Sequence, residues 1–362
     1  MLCLFVACSS PTDPDRAVEQ PGAHAVGTRR ITTTDATRSY TFQAWYPTTS
    51  PTADVAIEAL EAEPLRSRTT ALLAGVATCP TRRLTVAVDG DPEAGSFPLV
   101  VASHCHACTR FSNASTAIRL ASHGYVVASC DHEGGTLYDV VRGQLASPTE
   151  GIDDRPLDVR YLANRLSRLP TSDPLAGLID LDRFGVAGHS FGALTAMRVT
   201  VIDPRVKAIV PQAPTSADLA FVGYVDPPPP HVPIMLQGAK ADRTLDYTQN
   251  VLNAWAWATS PKYLLSIETG GHFTFSDLCQ FDLGALSERV KLDIPGADVK
   301  KVLEDGCGPM APKAAVALPL IAHFAVGFFN ARLLGSTGSA ALLTQAKADT
   351  FGAGVAELQA AP

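Results

Sequence analysis

Asp182-Arg-Phe-Gly-Val-Ala-Gly188-His-Ser190-Phe-Gly192-Ala193 is the stretch on which the reading of this chain turns. Phe184–Ala187 has the length and apolar character of a buried strand, and an apolar helical pattern runs from Leu194 to Val201. Between them, Gly-His-Ser-Phe-Gly has the G-x-S-x-G spacing of a serine set on a sharp strand-to-helix turn. On so tight a turn the residues two before and two after the serine crowd one another. Gly188 and Gly192 meet that need, and Ala193 keeps the helix close to the strand. A serine presented in this way is a candidate nucleophile, and a nucleophilic serine needs a base and an acid.

The expected chain order is serine, carboxylate, histidine. Downstream, Pro233-Ile-Met-Leu-Gln-Gly-Ala-Lys-Ala-Asp242 reads as a strand followed by a loop bearing an acid. Tyr263-Leu-Leu-Ser-Ile-Glu-Thr-Gly-Gly-His272-Phe reads as a strand followed by a loop bearing a base. Both residues lie just past a strand's C-terminal end, as Ser190 does, so Ser190, Asp242 and His272 are expected to converge. Asp246 and Asp218 are the alternative carboxylates. An oxyanion hole would combine the backbone N–H of Phe191 with one from the loop after Pro98–Ser103, where His106 occupies the donor position. Phe191, Phe273, Phe275 and Tyr138 are candidates to line an acyl or aromatic pocket, with core packing the competing role for each.

Around this motif, strands are expected at Thr28–Thr33, Tyr40–Tyr46, Leu99–Ser103, Val126–Cys130, Phe184–Ala187, Ala208–Val210, Ile234–Gln237 and Tyr263–Glu268. The first two alternate polar and apolar, as an antiparallel edge does. The rest are Val/Ile/Leu/Ala-rich, as strands buried on both faces of a parallel sheet are. Helical patterns fall at Ala114–Ser122, Asp158–Leu169, Leu194–Val201, Tyr247–Ala258 and Ala314–Leu334. Alternating strands and helices predict an α/β architecture: a mostly parallel, eight-stranded sheet flanked by helices. One catalytic domain is expected over 21–335, with 1–20 a signal remnant or lipoprotein tether and 336–362 an Ala/Gly-rich tail. Residues 52–97 read as a helical segment and a short run, Leu84–Val88, packed over an edge. Residues 135–152 read as a long loop, and 273–312 as an insertion near the site.

With 46% hydrophobic and 18% charged residues among 362, the chain has ample material for a core, which excludes general disorder. A net charge of −7 without a basic block argues against nucleic acid. The apolar run Ala314–Phe329 is shorter than the ~20 residues of a membrane span and reads as a buried helix. Met1–Ala7 is apolar, and Ala7-Cys8-Ser9 has the form of a lipidation junction, which suggests a secreted or envelope protein with a lipid anchor. Setting aside Cys3 and Cys8, six cysteines remain, an even number suited to an oxidising compartment. Cys279 with Cys307 is the first expected pair. Cys105 or Cys108 is expected to bond Cys79 or Cys130, stiffening the oxyanion loop. His104, Cys105, His106 and Cys108 offer metal-ligand chemistry, but adjacent side chains diverge, so no metal is expected, and no cofactor.

Phe97-Pro-Leu-Val-Val-Ala-Ser-His, Leu120-Ala-Ser-His-Gly-Tyr-Val-Val-Ala-Ser-Cys-Asp-His, Gly188-His-Ser-Phe-Gly-Ala and Gly271-His-Phe together resemble the dienelactone-hydrolase-like and platelet-activating-factor-acetylhydrolase-like serine esterases of the α/β-hydrolase superfamily. Where that group carries Ser-His-Gly-x-Gly, this chain reads Ser103-His-Cys-His-Ala107. Ser190 stands where dienelactone hydrolase has cysteine. An acid after the seventh strand, followed by Gly-His-Phe, looks like cutinase-like polyester hydrolases. The resemblance implies a serine hydrolase of short to medium acyl esters, small or polymeric, working through an acyl-enzyme. Polyester hydrolase and phospholipid acetylhydrolase are the alternatives within enzymes. A catalytically inactive envelope binding protein is the alternative outside them.

Overall fold

The computed structural model describes residues 18, 20–34, 39–73, 83–216, 231–259, 261–281, 301 and 304–361. Among these residues, eleven strands form one sheet. They are β1 (Ala25–Thr34), β2 (Ser39–Thr48), β3 (Ala53–Ala56), β4 (Arg83–Val88), β5 (Phe97–Ser103), β6 (Val126–Asp131), β7 (Ile179–His189), β8 (Val206–Gln212), β9 (Ile234–Ala239), β10 (Lys262–Ile267) and β11 (Ala356–Ala361). Their spatial order is β11-β10-β9-β8-β7-β5-β6-β2-β1-β4-β3. The central strands β6-β5-β7-β8-β9-β10 are parallel, while β2 joins β6, and β11 joins β10, antiparallel.

Among the described residues the α-helices are α1 (Leu65–Leu73), α2 (Ala114–Ser122), α3 (Leu137–Arg142), α4 (Pro148–Leu166), α5 (Phe191–Ile202), α6 (Asn253–Trp257), α7 (Ala314–Leu333), α8 (Thr337–Ala341) and α9 (Gln345–Asp349). They cover both faces of the sheet. Val100 points to one face, into a cluster with Leu120 of α2 and Phe324, Phe328 and Phe329 of α7. Its neighbours Leu99 and Val101 point to the other, against Leu162 of α4 and Met197 of α5. Each such Leu or Phe contributes roughly 1.5–3 kcal/mol by leaving water. α7 is long and apolar enough to cross a membrane, but most of it is buried against the sheet.

The sheet has eleven strands where eight were expected. Leu84–Val88 is the body of β4, which pairs with β1 and with the added strand β3. The segment 336–362 is not a plain tail: it carries α8, α9 and β11. Gly352 and Gly354, both at positive φ, turn the chain so that Ala356–Ala361 lies along β10. Ala, Glu and Gln are weak strand formers, so backbone pairing rather than propensity makes this strand.

The loop expected at 135–152 is largely helical. Thr136 and Asp139 form a reciprocal capping box that starts α3, and Gly143 ends it. α4 then begins at Pro148, well before the expected Asp158, and carries Pro156 inside it. An internal proline leaves the carbonyl four residues earlier without its helical donor. Here that carbonyl, Ile152 O, accepts from Arg198 Nε of α5 at 3.1 Å, so the helix continues through the proline.

Candidate active site

From β5 the chain moves to β6 on one side, and from β7 to β8 on the other. The loops after β5 and β7 therefore part and open a crevice at the strands' C-terminal ends, where α/β sheets bind ligands. In register, Ser103 at the end of β5 lies beside Gly188 of β7.

Ser190 sits at φ 58°, ψ −117°, a strained backbone for a residue with a side chain. Its N–H donates to Gln212 O at 2.8 Å, and its carbonyl accepts from Ala193 N at 2.8 Å. The crowding inferred from the motif is literal. A Cβ on Gly188 would lie 2.1 Å from Gly192 O, and one on Gly192 would lie 2.0 Å from Ser103 O.

His272 Nε2 is 2.8 Å from Ser190 Oγ, and His272 Nδ1 is 2.8 Å from Asp242 Oδ2. Asp242 Oδ1 accepts the N–H groups of Thr244 at 2.9 Å and Leu245 at 2.7 Å. These bonds fix the carboxylate, and with it the tautomer that carries its proton on Nδ1 and leaves Nε2 facing the serine. Both His272 and Asp242 are buried. Asp246, the alternative acid, instead accepts Gln249 N at 2.9 Å. Asp218 lies outside the described residues.

The Phe191 N–H lies in the first turn of α5 and has no intrahelical acceptor. The rings of His106 and Phe191, the two residues expected to supply the oxyanion N–H groups, meet edge to face 5.9 Å apart. Both side chains line a cavity of about 300 Å³ with Glu133, Glu150, Asp154 and Arg155. Burial and the Arg155 guanidinium push the His106 imidazole down to about 4, so it is neutral near pH 7. Arg155 reaches across this region: Nη1 donates to His104 O at 2.7 Å, Nη2 to Gly135 O at 3.3 Å, and its guanidinium stacks 4.4 Å over the Phe191 ring.

Several expectations need correction. Cys105 and Cys108 bond each other, with Cα atoms 5.3 Å apart, rather than reaching Cys130. Ala107 at φ 58° closes the turn that brings them together. Cys130 is a buried free thiol 3.3 Å from His132 Nε2, and Cys79 lies outside the described residues. The Cys279–Cys307 pair is present as expected. Phe275 is fully buried against Ala213, Ala239, Ile267, Ala317 and Ile321, so it is a core residue and not a pocket wall. Tyr138 donates to Glu61 Oε1 at 2.6 Å and lines a different, apolar cavity of about 110 Å³ with Phe111, Leu278 and Phe281. Phe273 packs with both disulfides.

Three residues were missed by sequence reasoning. His189 Nε2 donates to His272 O at 2.8 Å, tying the serine turn to the histidine loop. Burial drives its imidazole down to about 3, so it stays neutral. Arg155 carries no motif that would announce it. Asp305, buried beside His272, is the third. Its only sequence cue is its place two residues before Cys307.

Beneath the crevice, His132 Nε2 lies 2.8 Å from Ser103 Oγ, and Nδ1 lies 2.8 Å from Asp158 Oδ2. All three are buried, so this second serine–histidine–aspartate row braces the loop after β5 and does not meet substrate.

The structure is similar to a ferulic acid esterase from Streptomyces cinnamoneus, with a TM-score of 0.65 and 26% sequence identity, covering 86% of this chain and 91% of that one. Residues 13–138 match the family description "Platelet-activating factor acetylhydrolase, isoform II". Residues 94–280, just over half of the chain, match the description "PET hydrolase-like". This protein is thus a serine ester hydrolase of the α/β-hydrolase fold and belongs to the PET hydrolase-like family.

Proposed function

We propose that this hydrolase cleaves carboxylic esters of short to medium acyl groups, with Ser190 as nucleophile, His272 as general base and acid, and Asp242 as the residue that orients it. One observation carries the reading: a strained serine joined through a buried histidine to a carboxylate by two 2.8 Å contacts. His272 Nε2 takes the Ser190 proton as Oγ attacks the ester carbonyl, and Asp242 stabilises the imidazolium that forms. The backbone N–H groups of Phe191 and His106 receive the oxyanion. His272 then protonates the departing alcohol, leaving an acyl-serine. A water that gives its proton to the same imidazole releases the acid.

A second reading concerns aromatic and polymeric esters. The PET hydrolase-like match and the ferulic acid esterase neighbour both point to acyl groups built on an aromatic ring. Export to an oxidising compartment, with or without a lipid on Cys8, is part of the proposal and is supported by two disulfides in the domain.

The test is hydrolysis of p-nitrophenyl esters from acetate to palmitate, with ethyl ferulate and a polyester film alongside. Ser190→Ala should lower kcat by roughly 10⁴–10⁶-fold, and Asp242→Asn by about 10⁴-fold. Hydrolysis that survives Ser190→Ala would refute the assignment. Activity on ethyl ferulate and film, with little on aliphatic esters, would select the aromatic reading.

A further inference from the structure

Asp305 belongs to no motif and lies 33 residues beyond His272. Yet its carboxylate, 2% exposed, joins the two loops that carry the proposed acid and base. Oδ1 accepts the His272 backbone N–H at 3.2 Å. Oδ2 accepts the Arg243 N–H at 3.0 Å and the Thr244 hydroxyl at 2.8 Å. Arg243 and Thr244 directly follow Asp242, and Thr244 N is itself a donor to Asp242 Oδ1. The Asp305 carbonyl accepts Phe273 N at 2.8 Å, and Gly306 O accepts the Thr274 hydroxyl at 3.2 Å. Two glycines permit this approach. A Cβ on Gly271 would lie 2.3 Å from Asp305 Oδ1, and one on Gly306, at φ 96°, would lie 2.7 Å from Thr274 N.

A covalent link lies close by. Cys307, two residues on, is bonded to Cys279, seven residues after His272. The Cys279 sulfur rests 3.2 Å from Phe273 O and 3.3 Å from Gly306 O, so the disulfide sits on the seam between the two segments. Both cysteines are half-buried, whereas Cys105 and Cys108 are buried.

We propose that Asp305 is a positioning residue that locks the His272 and Asp242 loops in register, and that the Cys279–Cys307 disulfide holds it in place, so that full activity requires the oxidised protein. This rests on the proposed roles of Ser190, His272 and Asp242. Reduction by a dithiol moves two electrons and two protons to the disulfide, leaving two thiols here and an oxidised dithiol in solution. The segment carrying Asp305 is then free to leave the seam. His272 stays in the chain but loses the anchor of its backbone, and a misplacement of about 1 Å at a reacting group costs on the order of 10²-fold in rate.

The experiment uses the full chain and p-nitrophenyl acetate, with kcat and KM measured separately. Asp305→Ala should lose roughly 10²-fold in kcat with KM within about twofold, and Asp305→Asn, which keeps one acceptor oxygen, should lose less. Dithiothreitol should lower the activity of wild type and of the Cys105→Ser/Cys108→Ser variant, and reoxidation should restore it. Cys279→Ser/Cys307→Ser should start low and ignore dithiothreitol. A wild-type kcat in Cys279→Ser/Cys307→Ser, or in an Asp305→Ala protein with a native near-ultraviolet dichroism spectrum, overturns the proposal. Should Asp305→Ala not fold, Asp305→Asn and the dithiothreitol series decide. An inactive Ser190→Ala beside a fully active Asp305→Ala refutes this inference alone, whereas an active Ser190→Ala refutes the reading beneath it.

Discussion

The convergence of Ser190, Asp242 and His272 was legible from their positions, since each lies in the loop just past the C-terminal end of a buried apolar strand and such strands end at one edge of a parallel sheet. Asp305 and Arg155 were not, because their partners are backbone carbonyls and N–H groups of other loops, and no spacing encodes that. Asp277 is another buried carboxyl of this kind. Oδ2 accepts Ser115 N at 2.8 Å and Oδ1 accepts Gln280 Nε2 at 3.2 Å, but burial raises its carboxyl to about 6. The folded protein therefore binds this proton more tightly than the unfolded chain, whose carboxyl titrates near 3.8. Between about pH 6 and pH 4 the group favours folding more strongly as pH falls, by up to about 3 kcal/mol. Denaturant titrations at pH 7 and pH 4.5 should show wild type gaining on Asp277→Asn as pH drops. A gap that does not change with pH would contradict the shifted carboxyl.

At the scale of elements, the sequence located strands better than it located helix starts. A proline inside a helical pattern ordinarily marks a boundary, and Pro156 does not do so here because Arg198 of α5 fills the vacancy at Ile152 O. The helix is thus completed by its neighbour, which no local pattern can reveal. Arg198→Ala should cost about 1–3 kcal/mol by leaving that carbonyl without a partner. Pro156→Ala supplies the missing N–H, so the same Arg198→Ala change in that background should cost less, with a coupling of at least about 0.5 kcal/mol in a double-mutant cycle. The ion pair from Arg198 to the exposed Asp153 contributes little to either measurement. β11 went unseen for the complementary reason: its side chains hardly specify a strand, and its partner β10 does.

For the whole molecule, charge matters as much as shape. The net charge of −7 opposes approach to any surface that becomes anionic as its esters are cut. Raising ionic strength from about 0.01 M to 0.15 M shortens the screening length from roughly 30 Å to 8 Å. Initial rates on a partly hydrolysed polyester film should therefore rise with salt, while rates on soluble, neutral p-nitrophenyl acetate should stay level. Equal salt responses on both substrates would show that surface charge does not govern access.

The strand order has a consequence for how the protein can be divided. From β1 to β6 the chain lays down one half of the sheet, and from β7 to β11 it lays down the other; the two meet where β5 pairs with β7. Ser190, Asp242, His272 and Asp305 all belong to the later half, while the loop bearing His106 belongs to the earlier one. Neither half alone holds all the residues of the proposed site. Cut in the turn before Ile179, the chain should act as a two-piece reporter, with ester hydrolysis expected only when the two halves are mixed.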